Sequence, residues 1–464
     1  MPLQAWCLRL RACGDAVQAR SWILPPTMAS AFLVQGWCPT AWQPMRAHDG
    51  WLVRVRPQQA TLRVAQWRQL ADLAECHANG QLELTRLGNV QLRAVPDAAV
   101  APLRQGLVAA ALVHGDPEAD AAPAVHCSPF HHTGDRTHQL AQALSQAVAT
   151  ALRPDVLRAA GLTPLPSKFS LLVDNPQQHL RRLQADLRIW PLAQGYALAL
   201  GSAPTPTPAP SAGSGPVWLP ELPEVVAAAV GVARWFAQAR LQRQPHPTRL
   251  AALLPDHPPP LHGSPYSGPD HPLPTAPEPP QPGQATAWGL LAGAPLGRID
   301  TRHLRRALGA LPPAAEVRVT PWRSLLFCGA DRAALQLTPD DARAWILDAD
   351  DARLRVSACT GAPGCTQALA TTQAPALRWA PQVPAGKHLH VSGCAKRCAL
   401  PADADALACA TLAESDTVSS PPRSSKNGDN PILHDVHWTV DTPHPGSRFT
   451  PDEIRAFQTL THAA

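Results

Sequence analysis

Two short strings of cysteines limit what this chain can become. Ala358-Cys359-Thr360-Gly361-Ala362-Pro363-Gly364-Cys365 carries a C-x5-C pair, and Ser392-Gly393-Cys394-Ala395-Lys396-Arg397-Cys398 carries a C-x3-C pair. Four thiolates are the usual complement of one [4Fe–4S] cluster. The residues between Cys359 and Cys365 are small, which lets a loop lie close to a cluster and point N–H groups at its sulfurs. The second pair follows the apolar run Leu389-His390-Val391 and a Ser-Gly turn, and reads as a strand entering a metal-binding turn. Zinc also takes four cysteines, but as C-x2–4-C pairs, narrower than C-x5-C. Buried inert thiols are the plainer alternative; two pairs set in Gly-rich turns weigh against it. The fold must bring two distant loops to one place.

The chain has 464 residues, enough for two or three domains with full cores. Its 53 prolines and abundant Ala and Arg read as genome composition and carry no chemistry. The net charge of +5 is mild and no basic run builds a nucleic-acid face. Met1–Arg20 has scattered charges and no uninterrupted apolar core, and Val225–Ala233 is too short to span a bilayer. With 11 cysteines and no secretory signal, a reducing cytoplasm is expected, where paired cysteines mean metal or redox chemistry.

Residues 1–35 read as an N-terminal extension, and Met28 offers a second translation start. Trp51–Arg56 is a strand closed by Pro57, Thr61–Ala78 has helical spacing stopped by Asn79-Gly80, and Leu82–Thr85 and Val90–Arg93 alternate as strands. A related unit recurs from Gly289: a strand, a helix over Thr301–Leu311, and a strand–turn–strand over Glu316–Phe327. Leu84-Thr85-Arg86 pairs with Val319-Thr320-Pro321-Trp322-Arg323, which points to an internal duplication. An α/β stretch follows each unit. The first has a helical Thr137–Ala159 and strands at Lys168–Val173 and Ala185–Trp190, and the second holds the cysteines. Residues 202–216 and 255–284 read as Pro-rich solvated linkers around one amphipathic helix, Leu219–Gln242. Residues 412–430 read as another such connection, before a tail strand at Ile432–Val440. Arg54, Arg56, Arg86 and Lys168 each sit on or just after a strand of the N-terminal half. Alone, each is a solvated strand residue; together beside a cluster they suit an anion-binding wall, because guanidinium forks hold carboxylates bidentately. His126, His131, His132 and His138 flank Cys127, but their spacing matches no metal signature.

The C-x5-C/C-x3-C pattern resembles the cluster signature of the sirohaem-dependent nitrite and sulfite reductases. The fuller strings Ala358–Cys365 and His390–Pro401, with Gly36-Trp37-Cys38-Pro39 and Arg54-Val55-Arg56, are closer to the precorrin-3B synthase family of that superfamily. The resemblance implies an α+β fold: duplicated ferredoxin-like half-domains plus two α/β nitrite/sulfite-reductase-type domains around a pseudo-two-fold axis. On it the chain divides into a half-domain at 36–100, an α/β domain at 120–200, a Pro-rich insertion at 201–285, a second half-domain at 286–340, a cluster-binding domain at 345–411 and a tail at 412–464. It makes Cys359, Cys365, Cys394 and Cys398 the cluster ligands. It also gives the Arg54/Arg56 strand, Thr85-Arg86 and the string Leu165-Pro166-Ser167-Lys168-Phe169-Ser170 to substrate and cofactor binding. Sulfite reductases carry a second lysine where this chain has Ser170, which counts against sulfite. The implied activity is O2-dependent hydroxylation of precorrin-3A at C20 with closure of a γ-lactone, using one [4Fe–4S] cluster, a mononuclear iron and NADH. The alternative is a sirohaem-dependent nitrite or sulfite reductase. No Gly-x-Gly-x-x-Gly element follows a strand, so NADH is expected to act through a separate reductase.

Overall fold

The computed structural model describes residues 37–201, 215–266, 277–412, 436–444 and 447–462. The N-terminal extension with Met28, most of the two Pro-rich stretches, and the connection before the tail strand lie outside the described residues.

The first half-unit runs β1 (Met45–Ala47), β2 (Gly50–Val55), β3 (Thr61–Arg63), α1 (Val64–His77), β4 (Gln81–Leu84), β5 (Val90–Val95) and α2 (Val100–Ala109). The first α/β layer follows: α3 (Pro117–Asp120), β6 (Ala124–Cys127), α4 (Arg136–Ala151), α5 (Pro154–Ala159), β7 (Ser170–Val173), β8 (Leu187–Pro191), β9 (Tyr196–Leu200), β10 (Val217–Leu219), α6 (Leu222–Ala239) and β11 (Ser264–Pro265). The second half-unit is β12 (Ala285–Thr286), β13 (Gly289–Gly293), β14 (Arg298–Asp300), α7 (Thr301–Ala307), β15 (Glu316–Val319), β16 (Ser324–Cys328) and α8 (Pro339–Arg343). The last layer is β17 (Val356–Ala358), α9 (Gln373–Trp379), β18 (Leu389–Ser392), β19 (Ala406–Leu412), β20 (Val436–Asp441) and α10 (Pro451–His462).

The duplication expected from the sequence is explicit in the sheets. The half-unit sheets are ordered β1-β2-β5-β4-β14 and β12-β13-β16-β15-β3, so the order is the same and each lends its short third strand to the other. β3 pairs antiparallel with β15, and β14 with β4. Thr61–Arg63 was expected as the start of a helix; Leu62 instead joins the common core as a strand residue, and the helix begins at Val64. Gly50 (φ +130°) and Gly289 (φ +137°) occupy matching hairpin positions. A Cβ there would fall 2.8 Å from the Val95 carbonyl oxygen and 2.1 Å from that of Phe327. α1 buries Val64, Trp67, Leu70, Ala71 and Ala74 at helical spacing, and the Trp67 indole donates across the pseudo-axis to the Val317 carbonyl at 3.0 Å.

Two corrections concern the α/β layers. The stretch 201–285 is not wholly an insertion. β10 extends the β6–β9 sheet, and Val225, Ala229, Val232, Ala233 and Phe236 of α6 pack with Leu250 and Leu253 into that layer's core. A helix with a continuous apolar stripe must bury it, and this sheet offers the face. The tail likewise belongs to the last layer: β20 pairs with β19, and Trp438, Val440, Phe449 and Phe457 complete its core. Among the described residues no helix is long and apolar enough to cross a membrane.

Candidate active site

β17 and β18 are parallel, and both cysteine pairs leave their carboxyl ends, where α/β sheets present ligand-binding loops. Cys359 is the first residue past β17; its N–H donates to the Val391 carbonyl at 3.0 Å. Gly393 N–H donates to Cys359 Sγ at 3.2 Å. Leu369 N–H to the Gly393 carbonyl (2.7 Å) and Thr372 Oγ1 to the Cys359 carbonyl (2.8 Å) join the loops. Small residues are required at the junction. A Cβ on Gly361 (φ +68°) would sit 2.7 Å from Thr372 Oγ1, and one on Gly393 2.9 Å from Ala368 Cβ. All four thiols are free, with Cys394 buried, Cys359 and Cys365 half-buried and Cys398 exposed. Burial, and then the neighbouring Cys359, Cys394 and Cys365, push the Cys398 thiol up, so the four lie within electrostatic reach of one another. Among the described residues no three His, Cys, Asp or Glu side chains converge on a point that would hold a single ion. Thiolates that ring a multi-iron cluster, with backbone N–H groups aimed at sulfur, need no such point. The residues therefore fit a four-cysteine cluster.

The first half-unit braces these loops with buried charge. Arg93 on β5 donates from Nη2 to the Gly364 carbonyl at 2.8 Å and pairs with Asp49 at 3.1 Å. Arg298 on β14 pairs with Glu83 at 2.6 Å and donates to Gln373 Oε1 at 2.6 Å; Gln373 in turn donates to the Thr360 carbonyl at 3.2 Å. Nothing in the cysteine strings announced these partners.

The four basic residues expected at one wall have different immediate partners. Arg54 donates to Gln91 Oε1 at 2.7 Å and stands beside Cys38, whose N–H donates to Ser167 Oγ at 3.1 Å. Arg56 is committed to the carbonyls of Ala122 (3.1 Å) and Asp120, with the Asp120 carboxylate 3.7 Å away. Burial lowers both guanidinium pKa values, Arg56 against the pull of Asp120. Lys168 is exposed on the same side, its carbonyl held by Arg249. Arg86 is also exposed but lies near Arg323, His388 and His390. Burial, then Arg86, pull Arg323 down to about 10. His126, pushed to about 4 by burial and then Arg56, hydrogen-bonds the Leu87 backbone.

Residues 43–110, from β1 to α2, match the family Nitrite/Sulfite reductase ferredoxin-like half domain. The structure superposes on that titled Structure of Mycobacterium tuberculosis NirA protein with a TM-score of 0.53 at 17% identity, over 80% of this chain and 72% of that one. This is the nitrite/sulfite-reductase fold. A curated relative, Precorrin-3B synthase of Sinorhizobium sp, is 28% identical over 394 residues, 80% of each chain.

Within the nitrite/sulfite-reductase fold, Arg323 is the residue that sequence reasoning missed. It stands in the β15–β16 turn as Arg86 stands in the β4–β5 turn, and the duplication already read at those strings was the signal for it. Arg249, within the stretch assigned to the Pro-rich insertion, pairs with Asp186 at 2.9 Å. The histidines around Cys127 do structural work. His131 Nδ1 lies 2.8 Å from the Ser128 carbonyl, and its ring packs 5.6 Å from that of His138. A cavity of about 1180 Å3 touches Arg56, His126, His131 and Leu87. It reaches none of the four cysteines, Arg86 or Lys168, so we place the site by its chemistry and not by that cavity.

Proposed function

We propose that this chain is a precorrin-3B synthase, an oxidoreductase that hydroxylates precorrin-3A with O2 and closes its γ-lactone. The observation that carries the reading is the set of four free thiols at two parallel strand ends, with an arginine pair near the histidines of the same sheet, in a chain related to a precorrin-3B synthase over most of its length. In this reaction one atom of O2 enters the product. The other leaves as water, with two electrons and one proton supplied through NADH and a partner reductase and the second proton taken from solvent. Cys359, Cys365, Cys394 and Cys398 would hold the [4Fe–4S] cluster, which supplies single electrons when bound. Arg86, Arg323 and Lys168 would bind the acetate and propionate carboxylates of the tetrapyrrole, whose many anionic groups need such partners. Arg54, tied to Gln91, would orient from the far side, and Arg56, spent on two carbonyls, would shape that wall. A mononuclear iron belongs to the reading, but the described residues name no ligand set for it. The sirohaem reductase alternative loses a charge at Ser170, which is buried in β7 with its N–H on Asp186 at 3.0 Å.

The test is anaerobic purification with iron and sulfide analysis and an optical spectrum, then O2-dependent conversion of precorrin-3A followed by mass spectrometry. Cluster absorption with product one oxygen heavier supports the proposal. A sirohaem Soret band with nitrite or sulfite turnover would replace it with the reductase.

A further inference from the structure

The face of the cluster-bearing sheet that turns away from α9 is polar. Val356, Leu389 and Val391 pack under α9, while Ser357, His388, His390 and Ser392 point the other way. Three of these are in line. His388 Nε2 is 2.9 Å from Ser357 Oγ, and Ser357 Oγ is 2.9 Å from His390 Nδ1. At the outer end, His388 Nδ1 is 3.8 Å from the carboxylate of Asp403, which is 84% exposed. At the inner end, His390 is 0% exposed and its Nε2 has no hydrogen-bond partner among the described residues. A buried polar nitrogen left unpaired gives up its hydrogen bond to water and gains none in return, so such an atom in a formed site points to a ligand. The charged groups around the row are Arg86 and Arg323 from the half-units, Asp403, and Asp405, which accepts from the His388 N–H at 2.8 Å. Burial keeps the inner histidine's ring neutral, and the neighbouring His388, Arg323 and Arg86 act in the same direction.

We propose that Asp403, His388, Ser357 and His390 form a proton relay that runs from solvent to whatever occupies the cleft beside Arg86 and Arg323. The shift is concerted: as His390 Nε2–H gives its proton to the occupant, Ser357 Oγ–H protonates His390 Nδ1, His388 Nε2–H restores the serine, and a solvent proton enters at His388 Nδ1 beside Asp403. One proton enters, one is delivered, and no residue changes charge. Between turnovers solvent in the emptied cleft reprotonates His390 Nε2 and the row shifts back, releasing the His388 Nδ1 proton and restoring the resting Nε2–H forms. The hydroxyl suits the central place because it donates and accepts at once. The identity of the proton acceptor rests on the proposed function, where reducing O2 to water consumes protons; the hydrogen arrangement of the row does not.

Two measurements on the full-length chain separate these. Long-range 1H–15N spectra of histidine-labelled protein are expected to show His390 neutral with its hydrogen on Nε2, and His388 with its hydrogen on Nε2. Ser357→Ala is expected to abolish that preference in His390, and Ser357→Thr to keep it. A hydrogen on His390 Nδ1 would overturn the relay, whatever the enzyme's substrate. In weakly buffered precorrin-3A turnover, Ser357→Ala and His388→Ala are expected to be slower by about 10²-fold, the lower end of what proton transfer by a placed group contributes. Added imidazole is expected to restore His388→Ala and not Ser357→Ala, and Ser357→Thr to run as the wild type. Wild-type rates in both Ala variants would also overturn it. A wild type that binds iron but leaves precorrin-3A unchanged would refute the proposed function, leaving the spectra to judge the row.

Discussion

The two α/β sheets are the same frame used for opposite ends. β6-β7-β8-β9 and β17-β18-β19-β20 pair parallel, parallel, antiparallel. Ser128 N–H donates to the Val173 carbonyl at 2.8 Å just as Cys359 N–H donates to that of Val391 at 3.0 Å, so Ser128 stands where the first cysteine does. Past the second strand, the first sheet places Asp174, fully buried. It is paired with Arg188 at 3.3 Å and capped by the N–H groups of Asn175 and Leu180. The second sheet places Ser392 and then Gly393 and Cys394. One set of strand ends is closed by an internal ion pair; the other is left lined with thiols. The frame is indifferent to the chemistry, which resides in the few residues after each strand.

The comparison breaks most visibly at the cysteines. Replacing Cys359, Cys365, Cys394 or Cys398 by Ser is expected to abolish iron and sulfide binding, whereas Cys127→Ser in the first sheet and Cys409→Ser on β19 of the second keep it. Full iron and sulfide content in Cys398→Ser would sink the assignment.

Removing the buried cations tests the closed and open ends separately. Arg188→Met leaves Asp174 buried and unpaired, and stability measured by urea melts is expected to fall by about 3–5 kcal/mol, with iron per folded molecule unchanged. Arg93→Met strips Asp49 and the Gly364 carbonyl of their donor. It is expected to cost less stability, because Asp49 is 16% exposed, and to lose iron during gel filtration. Equal iron retention in the two variants would deny Arg93 its bracing role.

The pseudo-symmetric arginines sharpen the comparison further. Arg86→Ala and Arg323→Ala are each expected to weaken anaerobic tetrapyrrole binding by about ten- to a hundred-fold, the worth of one charge-assisted hydrogen bond. Arg86→Lys is expected to fall short of wild type, since an ammonium lacks the bidentate fork. Absorbance titration reads all three; unchanged affinity in both Ala variants would return these residues to the solvated surface.

The smallest effect is in pH. Burial holds His131, behind the first sheet, at about 4 and His390, on the second, at about 3. Unfolded histidine titrates near 6.5, so below that pH the unfolded chain binds more protons than the native one. The stability these rings contribute is present above about pH 6.5 and is lost as pH falls toward 4, by on the order of 1 kcal/mol per pH unit for each ring. His131→Gln and His390→Gln are each expected to flatten the slope between pH 6.5 and 4.5 in urea melts. A slope unchanged in both would mean that neither histidine is held neutral.

The cysteine strings, the Thr-Arg turns and the half-unit strands were legible because each is a local pattern: small residues about a thiol, or alternating apolar residues ending at a turn. The α6 stripe was legible as a helix, but not as core, because its sheet partners are formed by residues far away in the chain. The Pro-rich sequence on either side of α6 drew the reading toward a linker. Phe449 and Phe457 were lost from view for the same reason, as apolar residues in a polar tail.

By itself, then, the sequence determined where the paired thiols and the Thr-Arg turns stand, and that the chain is built twice. Tertiary structure decided how the two copies engage. Thr61–Arg63 and Arg298–Asp300 are three-residue strands whose own pattern names no partner. Each crosses to the opposite sheet because that edge offers unpaired N–H and C=O groups and lets Leu62 and Ile299 enter the shared core. The same engagement brings the β4–β5 and β15–β16 turns together, which makes Arg86 and Arg323 neighbours. Side-chain charge is written residue by residue. Which charges meet is settled by backbone pairing and burial across hundreds of residues, and no local window contains that.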